Sequence, residues 1–137
     1  MFSSFIITFV SMKINIQNLK DIKVLVDSFY REVQRDTLIG GVFHGAIKDW
    51  PAHLQKMYTF WQTILLGEHT YHGSPFPPHA EMPIDSTHFE RWLNLWHKTV
   101  DTHFEGELAE EAKWRAGKMA EIFLSKITYF KNESKIK

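Results

Sequence analysis

The stretch Tyr71-His72-Gly73-Ser74-Pro75-Phe76-Pro77-Pro78-His79 decides how this chain is partitioned. Its three prolines and one glycine interrupt every hydrogen-bond ladder, so it forms neither a regular helix nor a strand. It ends on a histidine, and only Ala80-Glu81-Met82 separates that residue from Pro83. His79 therefore sits in a short turn pinned between prolines, with little conformational freedom left to lose. Taken alone, the stretch reads first as a solvated loop histidine and only second as a fixed metal-binding imidazole. The segments on either side have to decide between them.

Those segments carry helical periodicity. Upstream, Leu19, Ile22, Leu25, Val26, Phe29, Tyr30 and Val33 recur at three- and four-residue spacing, with Asn18 as N-cap, which predicts an amphipathic helix with Tyr30 on or beside its buried face. Gly40-Gly41 is expected to break the pattern, leaving Val42-Phe43 as a short apolar step. Asp49 is placed to cap a second helix with Trp50-Pro51 in its first turn, and Gly67 to close it. At roughly 100° per residue, His53, Met57, Phe60, Trp61 and Ile64 share one face, away from Gln55 and Gln62. A buried histidine needs a hydrogen-bond partner or a role. His53 is either a core histidine bonded to a carbonyl or a pocket residue.

Downstream, Thr87 with Glu90 reads as a capping box opening a third helix, whose apolar face is Phe89, Trp92, Leu93, Trp96 and Val100. Phe104 to Gly106 ends it. A last helix is expected from about Glu107 to Phe130, with Leu108, Ala112, Ala116, Met119, Ala120, Phe123 and Ile127 facing inward and Trp114 off that face. The expected product is one all-α domain of four main helices over residues 12–130, with a frayed polar tail at 131–137. The run Phe5 to Val10 is too short to span a bilayer and has no Lys or Arg before it, so residues 1–11 are expected to be a disordered extension and the protein cytoplasmic.

Composition narrows the chemistry. A chain of 137 residues can bury a core without staples, and with no cysteine it offers no disulfide, thiolate zinc site, iron–sulfur cluster or C-x-x-C-H attachment. Sixteen Lys plus Arg balance sixteen Asp plus Glu with no basic stripe, which argues against nucleic acid; no membrane partner is expected either. Eight histidines invite a metal reading, yet there is no H-E-x-x-H or Glu-x-x-His. His69, His72 and His79 lack an obvious fourth zinc ligand, and no Gly-x-Ser-x-Gly elbow occurs.

With 11 Phe and 5 Trp, the chain has enough aromatic surface either for a thick core or for a slot around a flat ligand. A haem pocket asks for one imidazole, an apolar slot and polar groups on the ligand side. His79 can supply the first; Phe43, Met57, Phe60, Trp61, Phe89 and Trp92 can line the second. Tyr30, His53 and Trp96, from three helices, can supply the third, since each carries an N–H or O–H donor. The competing reading is a haem-free helical interaction domain in which these aromatics are core and His79 merely caps a loop.

Taken together, the motifs resemble the group III truncated haemoglobins of bacteria. The match runs from about Ile16 to Phe130 and rests on Phe29-Tyr30, Phe43, Asp49-Trp50-Pro51-Ala52-His53, Phe60-Trp61 and Leu65-Leu66-Gly67. It continues through Tyr71-x-Gly73-x-Pro75-x-x-x-His79 and His88-Phe89-x-Arg91-Trp92-Leu93-x-Leu95-Trp96. The resemblance implies a shortened globin fold, a two-over-two helical sandwich holding non-covalent haem b. It also implies His79 as proximal iron ligand, Tyr30 and Trp96 as polar distal residues, and His53 as a distal histidine able to swing. Dioxygen, nitric oxide, carbon monoxide or cyanide are the implied ligands, with a reductase as possible partner. The implied chemistry is nitric oxide dioxygenase-like or peroxidase-like rather than bulk oxygen storage. Tyr71 and Arg91 are candidates for the haem propionates. Gly41 departs from the family, where proline is common, and so does the extension before Met12.

Overall fold

The computed structural model describes residues 13–136. Among these described residues five α-helices follow in order, α1 Leu19–Arg35, α2 Gly40–Ala46, α3 Trp50–Leu66, α4 Ser86–His103 and α5 Glu107–Ile136, with a 3₁₀ turn at Pro77–His79. α1 packs against α2, α3 and α4, while α5 packs along α4 and touches α3. This is the expected two-over-two sandwich, α1 and α3 over α4 and α5. The extension before Met12 lies outside the described residues.

α1 holds the centre. Asn18 caps it, its side chain accepting from the Asp21 N–H at 3.1 Å. Ile22, Leu25, Val26, Phe29 and Val33 are at most 1% exposed, so this one stripe is sealed on all sides by the other helices. Burying five such side chains stabilises the fold by about 1.5–3 kcal/mol each before chain entropy is subtracted.

Gly40-Gly41 does not break the chain but opens α2, a fifth helix beyond the four expected. The cause is Asp36, whose carboxylate accepts from the N–H groups of Leu38 and Ile39, both at 2.9 Å, while its carbonyl accepts from Gly40. The chain thus turns and restarts helix at once. A Cβ on Gly40 would sit 3.0 Å from the Val33 carbonyl oxygen, so glycine permits the close approach of two helix ends.

α3 begins on Asp49, which accepts from the Ala52 N–H at 3.1 Å, and ends on Gly67 in the left-handed region at φ 69°. Gln62, expected on the outer face, is buried instead. Its Oε1 accepts from Thr70 Oγ1 at 3.0 Å, which ties the following loop back onto the helix.

α4 is capped by Asp85, two residues ahead of the expected Thr87. Asp85 accepts from the Thr87 N–H, and the His88 ring accepts from the Asp85 N–H, so histidine takes the part expected of Glu90. α5 is capped from far away: Asn15 Oδ1 accepts from Leu108 and Ala109 N–H groups at 3.0 and 3.2 Å, beside a single parallel bridge between Ile14 and Phe104. α5 then runs to Ile136 rather than fraying after Phe130. Trp114 is 54% exposed, off the core face as expected. Among the described residues, no helix is long and apolar enough to cross a membrane.

Candidate functional site

Between α1, α3, α4, α5 and the proline-rich turn lies one cavity with mostly apolar walls. Phe43, Met57, Phe60, Trp61, Tyr71, Phe89 and Trp92 all line it, and so do Tyr30, His53, Trp96 and His79. The structure therefore gathers eleven of the residues singled out from the sequence around one space. The aromatics wall a hollow rather than fill a solid core, which speaks against the haem-free interaction domain.

His79 closes the 3₁₀ turn. Its Nδ1–H donates to the Pro75 carbonyl at 2.6 Å, so the lone pair of the neutral ring resides on Nε2. Burial holds its pKa below the usual histidine value, partly offset by the Pro75 bond, which keeps the ring neutral and ready to bind a metal. The Phe123 ring lies 5.0 Å from it. Among the described residues, no group of three or more His, Asp or Glu side chains is placed to hold a metal ion. An imidazole beside an aromatic-walled slot suits a haem, whose macrocycle would supply the iron's other nitrogen donors.

On α1 and α3, Tyr30 and His53 are bonded to each other, hydroxyl to Nε2, at 3.2 Å. Burial raises the Tyr30 pKa far above the phenol range, so its proton stays in place. Burial also lowers the His53 pKa, helped by the nearby charges of Lys56 and of His79 when protonated. The pair is neutral and carries one donor more than its mutual bond consumes.

Trp96 lines the cavity differently from the expectation. Its ring stacks on Trp61, centroids 4.5 Å apart, while its N–H donates to the Ala112 carbonyl of α5 at 3.0 Å. The one donor of the indole is committed to the fold. Arg91 is not a lining residue; its guanidinium pairs with Asp36 at 2.8 Å, because the turn after α1 brings that nearly buried carboxylate alongside α4.

Several lining residues went unrecognised in the sequence. Phe29 meets Tyr30, Trp92 and Trp96 edge-on and fixes the cavity's inner wall. Lys56 brings a cation to the cavity three residues after His53, a spacing that could have identified it, and His88 brings a further imidazole. Phe123 was legible as core-facing, but its contact with His79 follows only from how α5 crosses the turn.

Comparison with known proteins agrees with this geometry. Residues 15–124 match the model of the bacterial-like globin family. The group 3 truncated hemoglobin ctb of Campylobacter jejuni is 32% identical over 117 residues, covering 82% of this chain and 92% of that protein. The crystal structure of the group III truncated hemoglobin from Campylobacter jejuni superposes with a TM-score of 0.78 at 30% identity, covering 85% of this chain and 95% of that one. With its fold and the bulk of its length accounted for in this way, the chain belongs to the bacterial-like globins, and among them to the group III truncated haemoglobins, a family of haem proteins.

Proposed function

We propose that this chain binds haem b without a covalent link, with His79 as the proximal iron ligand. We further propose that Tyr30, His53 and Trp96 form the site for dioxygen and related diatomics, among them nitric oxide, carbon monoxide and cyanide. The observation that carries the reading is that a neutral imidazole fixed by Pro75 shares one aromatic-walled cavity with the bonded Tyr30–His53 pair. The absence of cysteine from the sequence supports non-covalent binding, since no thioether link can form.

The bound haem supplies reversible coordination of a diatomic ligand and one-electron redox chemistry. The chain's own contribution is positional. Pro75 sets the tautomer of His79 and makes its Nε2 more basic. Phe43, Phe60, Trp61, Phe89 and Trp92 exclude water from the slot, while Lys56 and His88 are suited to the carboxylates of the macrocycle. Tyr71, from the start of the proline-rich loop, completes that wall against Phe60.

Tyr30 and His53 can exchange roles. When His53 Nε2 carries the proton, it donates to the Tyr30 oxygen and leaves the phenol O–H free for a ligand; in the other tautomer the phenol donates to His53. A donor so placed stabilises negative charge developing on a ligand. Tight holding suits reaction better than delivery, which favours oxidative or nitric oxide detoxification chemistry, with electrons returned by a reductase.

The test is expression with adequate haem, followed by absorption spectroscopy and mixing of the oxy form with nitric oxide or peroxide. A Soret band lost in His79→Ala and rapid consumption of nitric oxide are expected. A colourless folded protein would overturn the cofactor assignment, and fast, complete oxygen release with no reaction would overturn the redox assignment.

A further inference from the structure

The turn that carries His79 has little of its own to hold it. Its backbone bonds are all local: His79 N–H to the Phe76 carbonyl at 2.7 Å, Ala80 to Pro77 at 3.2 Å, Met82 to His79 at 3.2 Å and Ile84 to Met82 at 2.9 Å. A 3₁₀ turn of three residues has no ladder to share strain with, so its position depends on what packs against it.

What packs against it is the far end of α5. The Phe76 ring meets Phe123 at 5.4 Å and stacks on Phe130 at 6.1 Å, and Lys126 Nζ lies 4.9 Å above the same ring. Phe123 also faces the His79 ring at 5.0 Å. On the other side of the turn, Lys131 Nζ donates to the Ile84 carbonyl at 3.0 Å. The contacts therefore grip the segment at Phe76, at His79 and at Ile84, before, at and after the imidazole. Lys126, Phe130 and Lys131 all lie beyond residue 124, where the match to the family model ends. Phe130 is 48% exposed, so its packing on Phe76 is not a by-product of core burial.

We infer that the stretch of α5 from Phe123 to Lys131, in its C-terminal half, is a strap that fixes the proximal turn, with Phe130 and Lys131 as positioning residues for His79. Their action on the iron rests on His79 being its ligand; their action on the turn does not. Without the strap the turn opens locally and the imidazole swings, while the α1 core stays shut.

The test uses the full-length chain as isolated, in the variants Phe130→Ala, Phe130→Ala with Lys131→Ala, and the conservative Phe130→Tyr. Amide hydrogen exchange at His79, Ala80, Met82 and Ile84 should quicken about tenfold or more in the double variant, as expected for loss of a charge-assisted hydrogen bond and an aromatic contact. Exchange at Val26, Phe29 and Tyr30 should not change, and Phe130→Tyr should behave as the parent. In the haem-loaded ferrous protein the iron–histidine stretching band should broaden or shift in the double variant alone. Exchange at the turn within twofold of the parent, or equal acceleration in α1, overturns the strap. A turn that loosens while the iron–histidine band stays put overturns the positioning role. A Soret band that survives His79→Ala removes the proximal assignment and leaves the exchange result to judge the strap by itself.

Discussion

The Tyr30 hydroxyl and the His53 Nε2 stand 3.2 Å apart and share one hydrogen bond between α1 and α3, at the wall of the cavity that His79 also lines. Two neutral groups, each able to donate or accept, can pass the donor role between them without any change of charge. This is the most chemically flexible contact in the cavity.

Tyr30→Phe removes the phenol donor and keeps the ring. If the phenol holds the ligand, the oxygen off-rate should rise about two- to tenfold, the range for one neutral hydrogen bond. Stopped-flow replacement of oxygen by carbon monoxide measures it. An unchanged off-rate takes Tyr30 out of the ligand-holding role.

Trp96→Phe should act mainly on stability. The indole N–H is bonded to the Ala112 carbonyl, and Trp96 is 1% exposed, so the variant loses that bond between α4 and α5 and leaves a void beside Trp61. A loss of about 2–4 kcal/mol in chemical denaturation is expected. A smaller change in off-rate than Tyr30→Phe gives is also expected. A variant as stable as the parent but with a much faster off-rate would show that the indole N–H leaves Ala112 when a ligand arrives.

His53 sets a pH dependence. Burial depresses its pKa below the usual 6.5, so below that pH the unfolded chain binds a proton that the folded chain refuses. The stability held above 6.5 should therefore decline as pH falls from there through the depressed value. His53→Gln should flatten this part of the stability profile. Urea midpoints between neutral and mildly acidic pH compare the two, and parallel profiles would dismiss His53 as the source.

Asp36 joins three elements. Its carboxylate receives the Leu38 and Ile39 N–H groups and the Arg91 guanidinium, and although partial burial opposes it, these bonds hold its pKa below the ordinary 3.8. Asp36→Ala should cost about 2–4 kcal/mol, because its donors lose their acceptor and α2 loses its start. The contribution is present above pH 3.8 and vanishes as pH drops through the depressed value, so acid denaturation of the variant should be less steep there. Chemical denaturation at pH 7 and pH 3 checks both statements.

The two glycines of α2 should respond in opposite directions. A Cβ on Gly41 meets nothing within 4 Å, so Gly41→Ala should stabilise by about 0.5–1 kcal/mol through helix propensity. A Cβ on Gly40 meets backbone oxygens of Val33 and Gln34 at 3.0 and 3.1 Å, so Gly40→Ala should destabilise. Thermal melts of the two variants give the signs directly.

Local physics made much of this protein legible from its residues. Apolar spacing fixed α1, α3 and the inner face of α5, the caps at Asn18 and Asp49 and the Gly67 stop follow from side-chain chemistry within one turn, and the prolines around His79 forbid anything but a turn. Because those faces were known, Tyr30, His53, Met57, Phe60, Trp61, Phe89, Trp92 and Trp96 could be named as inward-facing before the cavity was seen. What stayed hidden depends on partners distant in sequence. The Asn15 side chain caps α5 across a separation of 93 residues at Leu108, Asp36 claims Arg91 across 55, and Lys131 grips Ile84 across 47. The Trp96 donor goes to Ala112 because α4 and α5 pack side by side, a fact no window of either helix contains. Periodicity states which way a residue faces; which atom it meets is decided by how the helices cross, and that is where the cavity acquired its shape and the imidazole its support.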